Sequence, residues 1–169
     1  LLQADPGSTI AGRVVFDGDG PPPSVRALSV MPERADLDRT PRVGSIARGD
    51  VAQDLTFRIS GVHGPRRIKI EQPPAGWDLK AVIANGVEVT DTPIRFGTPD
   101  QSVTDMQVIL TNRLTEITGT VTDARGDATR DYTMLVFSQD RDRWYAGSRY
   151  FRRLRPEPGG YVIVHGLPP

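Results

Sequence analysis

Apolar and polar residues alternate with a period of two in short runs along this chain, and glycine or proline breaks each run before it reaches helical length. In "IAGRVVF", residues 10–16, Ile10, Gly12, Val14 and Phe16 share one face, and "DGDGPPP" ends the run. "SVRALSVM", residues 24–31, sets Val25, Ala27 and Ser29 against Leu28 and Val30, which predicts a strand stopped by Pro32. Residues 32–49 are polar, proline-containing and aperiodic, so they predict a long loop with room for one helical turn. Alternation resumes with Leu55, Phe57 and Ile59 and again with Ile68 and Ile70, with "GVHGP" between them as a hairpin or corner.

The next run, "GWDLKAVIANG", aligns Trp77, Leu79, Ala81 and Ile83 and ends in Asn85-Gly86, a strong type I′ turn signal leading into "VEVT". In "SVTDMQVILT", Val103, Met106, Val108 and Leu110 fall on one face only if a bulge near Asp105 absorbs one residue. By residue 112 about seven strands have passed, the number a small β-sandwich uses.

The chain then repeats itself. Ile117, Gly119, Val121 and Asp123 restate Ile10, Gly12, Val14 and Asp17 with a one-residue slip before the aspartate, and Gly126 follows as Gly20 does. Val162, Val164, Gly166 and Leu167 restate Phe57, Ile59, Gly61 and Val62. Gly12 and Gly61 stand 49 residues apart, and Gly119 and Gly166 stand 47 apart, so two motifs recur in order at nearly constant spacing. The second copy has no counterpart for "RRIKI", "WDLKAVI", "VEVT" or "SVTDMQVIL". Half a sandwich leaves an unpaired edge and exposed apolar faces, so either the natural chain continues past Pro169 or a partner completes this half.

"ITGTVTDARGD", "DYTMLVFSQDRDRWYAGSRY" and "GGYVIVHGLPP" together resemble the carboxypeptidase regulatory-like domains of bacteria. Those domains share a Gly-x-Val-x-Asp opening strand and a later apolar-x-apolar-x-Gly-Leu-x-Pro stretch. The resemblance implies an all-β architecture: a transthyretin-like (prealbumin-like) seven-stranded β-sandwich over residues 1–113, then the first half of a similar sandwich over 114–169. It implies no shared catalytic residues, because such modules occur attached to peptidases, outer-membrane receptors and surface proteins. The first copy departs from the pattern, with "GVHGP" in place of Gly-Leu-Pro-Pro and a longer loop at 32–49. Related pilin-type modules carry internal isopeptide bonds from a strand lysine, but here the two lysines, Lys69 and Lys80, lie in mid-domain.

Composition narrows the field. Seventeen glycines and fifteen prolines make up nearly a fifth of the chain, against about 12% in average usage, which suits frequent turns and few helices. With 21 basic and 21 acidic residues the net charge is zero, which argues against nucleic acid as a partner. No cysteine means no disulfide, no thiolate chemistry and no cysteine-bearing zinc site. The longest apolar runs, such as "TMLVF", fall far short of a membrane span. The chain opens on Leu1 rather than methionine, which is compatible with a processed N-terminus. These features leave the compartment open, and the resemblance implies a bacterial exported protein, periplasmic or extracellular, peripheral to a membrane or anchored there by other residues.

Candidate chemistry is sparse. His63 and His165 lie at corresponding "VHG" turns without companion ligands at a metal spacing, so capping of backbone groups is expected of them rather than metal binding. "DGDG" at 17–20 lacks the later ligands of a calcium loop and is explained by turn chemistry, as are both "ARGD" tetrapeptides, 47–50 and 124–127. No nucleophile elbow, phosphate loop or dinucleotide fingerprint is present, and Asp140 and Asp142 sit among arginines as solvated ion pairs. No catalytic residue, metal or cofactor is expected. The most suggestive stretch is "DRDRWYAGSRYFRRLRP", residues 140–156, where aromatic residues interleave with arginines. Trp144, Tyr145, Arg149, Tyr150, Phe151 and Arg152 are the candidate partner-binding residues, being of the types that dominate binding hot spots. The expectation is a docking or scaffolding subunit of a larger assembly, with a protein as partner. The alternative is a carbohydrate-binding module using Trp77 or Trp144, and a hydrolase ranks third.

Overall fold

The alternation at the N-terminus forms the strand around which the first half of the chain is built. The computed structural model describes residues 6–35, 47–157 and 159–168, in two compact units, Leu1–Arg113 and Leu114–Pro169. The first unit runs β1 (Ser8–Phe16), β2 (Ser29–Arg34), β3 (Gly49–Asp50), β4 (Thr56–Val62), β5 (Gly64–Glu71), β6 (Asp78–Ala84), β7 (Val87–Glu88), β8 (Ile94–Phe96) and β9 (Val103–Thr111). One sheet has the order β4-β1-β9-β6-β7 and the other β3-β2-β5-β8. Within the first sheet β1 and β9 run parallel, while β1 is antiparallel to β4 and β6 is antiparallel to β9.

The two sheets share one core. Ile10, Val14, Phe57, Ile59, Val82, Met106, Val108 and Leu110 from the first sheet join Val30, Ile68 and Phe96 from the second in a single buried cluster. This is an all-β, sandwich-like packing in which alternate residues of each strand turn inward. A lysine bulge decides which residues of β6 do so. Leu79 pairs with Leu110 and Ala81 with Ile109, leaving Lys80 as the extra residue. The bulge shifts the buried set to Val82 and Ala84, not the Ala81 and Ile83 that unbroken alternation predicts. The bulge expected near Asp105 is present, because Ile10 pairs with Val103 and Gly12 with Met106. Asn85 and Gly86 both take positive φ, 51° and 75°, and join β6 to β7 as a two-residue hairpin.

Several expectations from the sequence are corrected. The described residues of this unit form nine strands rather than about seven, because β3 and β8 are two and three residues long. Residues 25–28 form a turn closed by Leu28 N–H donating to the Val25 carbonyl, and the strand starts only at Ser29. It then continues through Pro32, which is buried and pairs with Ile68. Pairing of β2 with β3 ends at Val30, so beyond it β2 has β5 as its one strand neighbour among the described residues, and a missing N–H on the outer side costs no ladder bond. Between β4 and β5 a single residue, His63, carries the chain from one sheet to the other, so "GVHGP" is a corner and not a hairpin. Much of the long loop expected at 32–49 lies outside the described residues.

The second unit contains β10 (Thr115–Thr120), β11 (Met134–Val136), β12 (Arg152–Leu154) and β13 (Tyr161–Leu167), paired β10-β13 and β11-β12. These pairings reproduce β1-β4 and β2-β3 of the first unit. The register matches residue for residue: Ile10↔Ile59 and Gly12↔Phe57 in one, Ile117↔Val164 and Gly119↔Val162 in the other. So does the turn before β4 and β13. Leu55 N–H donates to the Ala52 carbonyl and Val14 N–H to that of Leu55, as Gly160 N–H donates to Glu157 and Val121 N–H to Gly160. Leu55 and Gly160 both sit at positive φ, 67° and 75°.

Burial separates the units. Among the described residues, Val162 and Val164 are the buried hydrophobics of the second unit, against eighteen clustered in the first. Burying one such side chain contributes roughly 1.5–3 kcal/mol, so two valines make a thin core. Among the described residues, six of the seven exposed large hydrophobics, namely Ile117, Leu135, Phe137, Trp144, Phe151 and Tyr161, belong to the second unit.

Candidate functional site

Three of the exposed aromatics, Phe137, Trp144 and Phe151, converge on one concavity, and short-range bonding shows why the chain holds them there. After β11 the backbone enters a 3-10 turn at Arg141–Arg143. Asp140 caps it by accepting from Asp142 N–H at 3.0 Å, and Arg143 Nε donates to Asp140 Oδ2 at 3.3 Å. Trp144 closes the turn through its N–H to the Arg141 carbonyl. The indole Nε1 of Trp144 donates to the Ser138 carbonyl at 2.7 Å, and the Phe137 ring meets it edge-on at 5.4 Å and 89°. With its one polar atom bonded inward, the Trp144 side chain is still 54% exposed.

A second turn follows. Ser148 N–H donates to the Tyr145 carbonyl, and buried Ser148 offers its Oγ to Tyr150 N–H at 3.2 Å. Two guanidinium groups lie over the Tyr150 ring, Arg143 at 4.1 Å and Arg149 at 5.2 Å from its centroid, which fixes the ring by cation-π attraction. Leu135, Phe137, Trp144, Tyr145, Tyr150 and Phe151, with Arg143 and the 146–148 backbone turn, line a groove of about 680 Å³. That volume lies within the range of small-ligand and side-chain pockets, about 300–1,000 Å³. Its walls are mainly apolar. The groove suits an apolar or aromatic group desolvated against Trp144 and Phe137, with Arg143 as the charged member of its lining.

Of the six candidate residues, Trp144, Tyr145, Tyr150 and Phe151 line this groove. Arg149 braces Tyr150 from beside it, and Arg152 turns to the β13 end, donating to the Gly166 carbonyl at 3.0 Å. Leu135 and Phe137 were legible only as part of the apolar run "TMLVF", and their exposure, 51% and 53%, shows them to belong to the groove. Trp77, the other aromatic considered for carbohydrate, is buried against Phe16 at 4.9 Å in the first core.

The other motifs resolve locally. His165 lies near the end of β13, and its Nδ1 is 3.3 Å from Glu116 Oε2 on the opposed strand, a surface pair of small energetic weight. Gly49-Asp50 of the first "ARGD" forms β3, with Arg48 paired to Asp50 at 3.2 Å, so that copy is strand and not turn. The second is a turn, in which Asp123 Oδ1 accepts from Arg125 and Asp127 N–H. "DGDG" is tied to β6 and to the residues just after β9: Lys80 bonds Asp17, and Arg113 bonds Asp19 at 3.0 Å. These cations hold both carboxyls below the usual aspartate value, chiefly through the hydrogen bond from Lys80 to Asp17 and from Arg113 to Asp19. Among the described residues no three His, Asp or Glu side chains converge as a metal group, and no helix is long and apolar enough to cross a membrane.

No protein-family model matches the chain. No curated protein matches it. Among solved structures the chain is similar to a DUF3823 family protein from Parabacteroides merdae ATCC 43184, at 15% identity and a TM-score of 0.39, over 96% of this chain and 81% of that one.

Proposed function

We propose that the chain is a non-catalytic protein-interaction module made of two related β-sandwich units of the carboxypeptidase regulatory-like, transthyretin-like kind. Its role is that of a docking or scaffolding subunit in a larger exported or membrane-associated assembly. The observation that carries this reading is the groove of the second unit, where Leu135, Phe137, Trp144 and Phe151, each about half exposed, line a concavity of about 680 Å³. Clustered exposed aromatics with a neighbouring arginine supply the anchors that protein partners bury. The matched registers of β1-β4 and β10-β13 support the tandem relation of the two units. Trp144 also offers an exposed ring face to a sugar, but the mainly apolar walls favour a protein side chain over a polyhydroxylated ligand.

Site-specific photocross-linking tests the reading. A benzoylphenylalanine replacing Phe137 in cells of the source organism should cross-link to another polypeptide, and the adduct should disappear on Trp144→Ala, while the same group at Arg130 should give none. Absence of any polypeptide adduct at Phe137, together with polysaccharide retardation that Trp144→Ala abolishes, would replace the protein partner by a glycan.

A further inference from the structure

We propose that the occupant of the groove is an acidic segment of a partner protein, in which aspartate or glutamate flanks an apolar anchor; this rests on reading the groove as a protein-docking site. Two observations carry it, the side of the sheet on which the groove opens and the charge around it.

The side follows from strand pairing. Met134 pairs with Leu154, Leu135 with Arg153 and Val136 with Arg152. Directly paired side chains share one side of a sheet, and successive residues alternate between sides. Arg152 donates from Nη2 to the Gly166 carbonyl of β13 at 3.0 Å, so the side holding Val136 and Arg152 looks toward the β10-β13 pair. Leu135 and Arg153 project from the opposite side, and both are exposed while their neighbours along each strand are half-buried. The groove lined by Leu135 and Phe137 therefore opens on the outer side of β11-β12. Strands added in the plane of a sheet extend its edges and do not cover that side. In the first unit the corresponding side of β2 is polar: Val30 and Pro32 are buried inward, while Glu33 forms an ion pair with Lys69 of β5 at 2.7 Å. The second unit places Leu135 and Phe137 where the first places paired charges.

Charge selects the occupant. Residues 140–156 hold six arginines against two aspartates, an excess of four positive charges in a chain whose net charge is zero. Asp140 is bonded to Arg143 at 3.3 Å, and Asp142 is exposed. Arg141 stands 5.9 Å from the centroid of the Trp144 ring. Arg153 lies directly across from Leu135, a pairing that sets Cβ atoms about 5 Å apart. Both arginines are exposed, and among the described residues neither has an acidic partner. Cations around an apolar floor draw in a segment of opposite charge and repel a basic one, which sets partner choice and encounter rate. Phe137, Trp144 and Phe151 then supply the contact that an apolar anchor fills. The concave shape suits an inserted side chain rather than the flat surface of a bilayer.

The test selects random dodecapeptides displayed on phage against the full chain, keeping those whose retention is lost on both Trp144→Ala and Phe151→Ala. Circular dichroism confirms that each variant keeps its fold. The retained sequences should carry aspartate or glutamate on either side of an aromatic residue or leucine. One such peptide, synthesised and labelled, should bind about tenfold or more weakly to the Arg141→Glu, Arg153→Glu variant. Its affinity should also fall as salt rises from about 0.02 M to about 0.5 M. Arg125→Glu, Arg130→Glu, an equal charge change outside the groove lining, should alter binding by less than about twofold. Retained sequences that are neutral or basic, binding indifferent to the Arg141 and Arg153 reversals, or displacement of the peptide by phosphatidylglycerol vesicles would each overturn the acidic occupant. Absence of any peptide dependent on Trp144 would instead remove the protein-docking reading of the groove, and the proposal with it.

Discussion

At the scale of single residues, Gly12 and Asp17 show what the pattern alone can and cannot disclose. Gly12 was recognisable as part of a repeated motif, but its cause, the Met106 carbonyl 1.9 Å from where a Cβ would be, depends on a strand more than ninety residues later. Gly12→Val should therefore destabilise the first unit by about 3 kcal/mol or more in urea unfolding, since a backbone obstacle cannot rotate away. The clamp on "DGDG" makes a pH prediction. Because Lys80 and Arg113 hold Asp17 and Asp19 below their usual value when folded, the folded state takes up protons less readily than the unfolded one. The stabilisation is then present above the unfolded value near 4 and is lost as pH falls through the folded value. Thermal unfolding followed from about pH 6 to about pH 2 should show a shallower acid decline in the Asp17→Asn, Asp19→Asn double variant.

At the scale of elements, long alternating runs were legible, including the bulged strand 103–111, while the shortest strands and the bulge at Lys80 were not. The strands at 8–16, 56–62, 64–71 and 103–111 carry enough period-two signal to stand out, whereas β3 and β8 have two and three residues and owe their existence to β2 and β5 beside them. The Lys80 bulge left no local mark, because register belongs to the pair and not to one strand. It has a measurable consequence. Val82→Ala should cost about 1.5–3 kcal/mol in the buried face, while Ile83→Ala should cost about 1 kcal/mol or less, the reverse of what unbroken alternation predicts. The groove was half legible. Aromatic and arginine spacing pointed to 144–152, but the part played by Leu135 and Phe137 follows only from the fold of the 137–151 connection.

At the scale of the whole molecule, two units share a strand pair, a turn and a register but differ in what surrounds them. Among the described residues the first adds β5 to β9 and gathers a core of eighteen buried hydrophobics, while the second has two. With so thin a core, residues 114–169 expressed alone should give no cooperative thermal transition. The repeat was legible because its residues serve the shared strand pair, and the missing counterparts of its later strands predicted an unpaired edge, while the groove was only half legible, because exposure is a property of neighbours. The central claim is that the second unit presents unfilled binding surface where the first is closed. Backbone hydrogen exchange on the full chain in isolation tests this most directly. Amides of β1, Ser8–Phe16, should exchange orders of magnitude more slowly than those of β10, Thr115–Thr120. Equal protection of the two strands would mean that β10 is already covered, and would contradict the account.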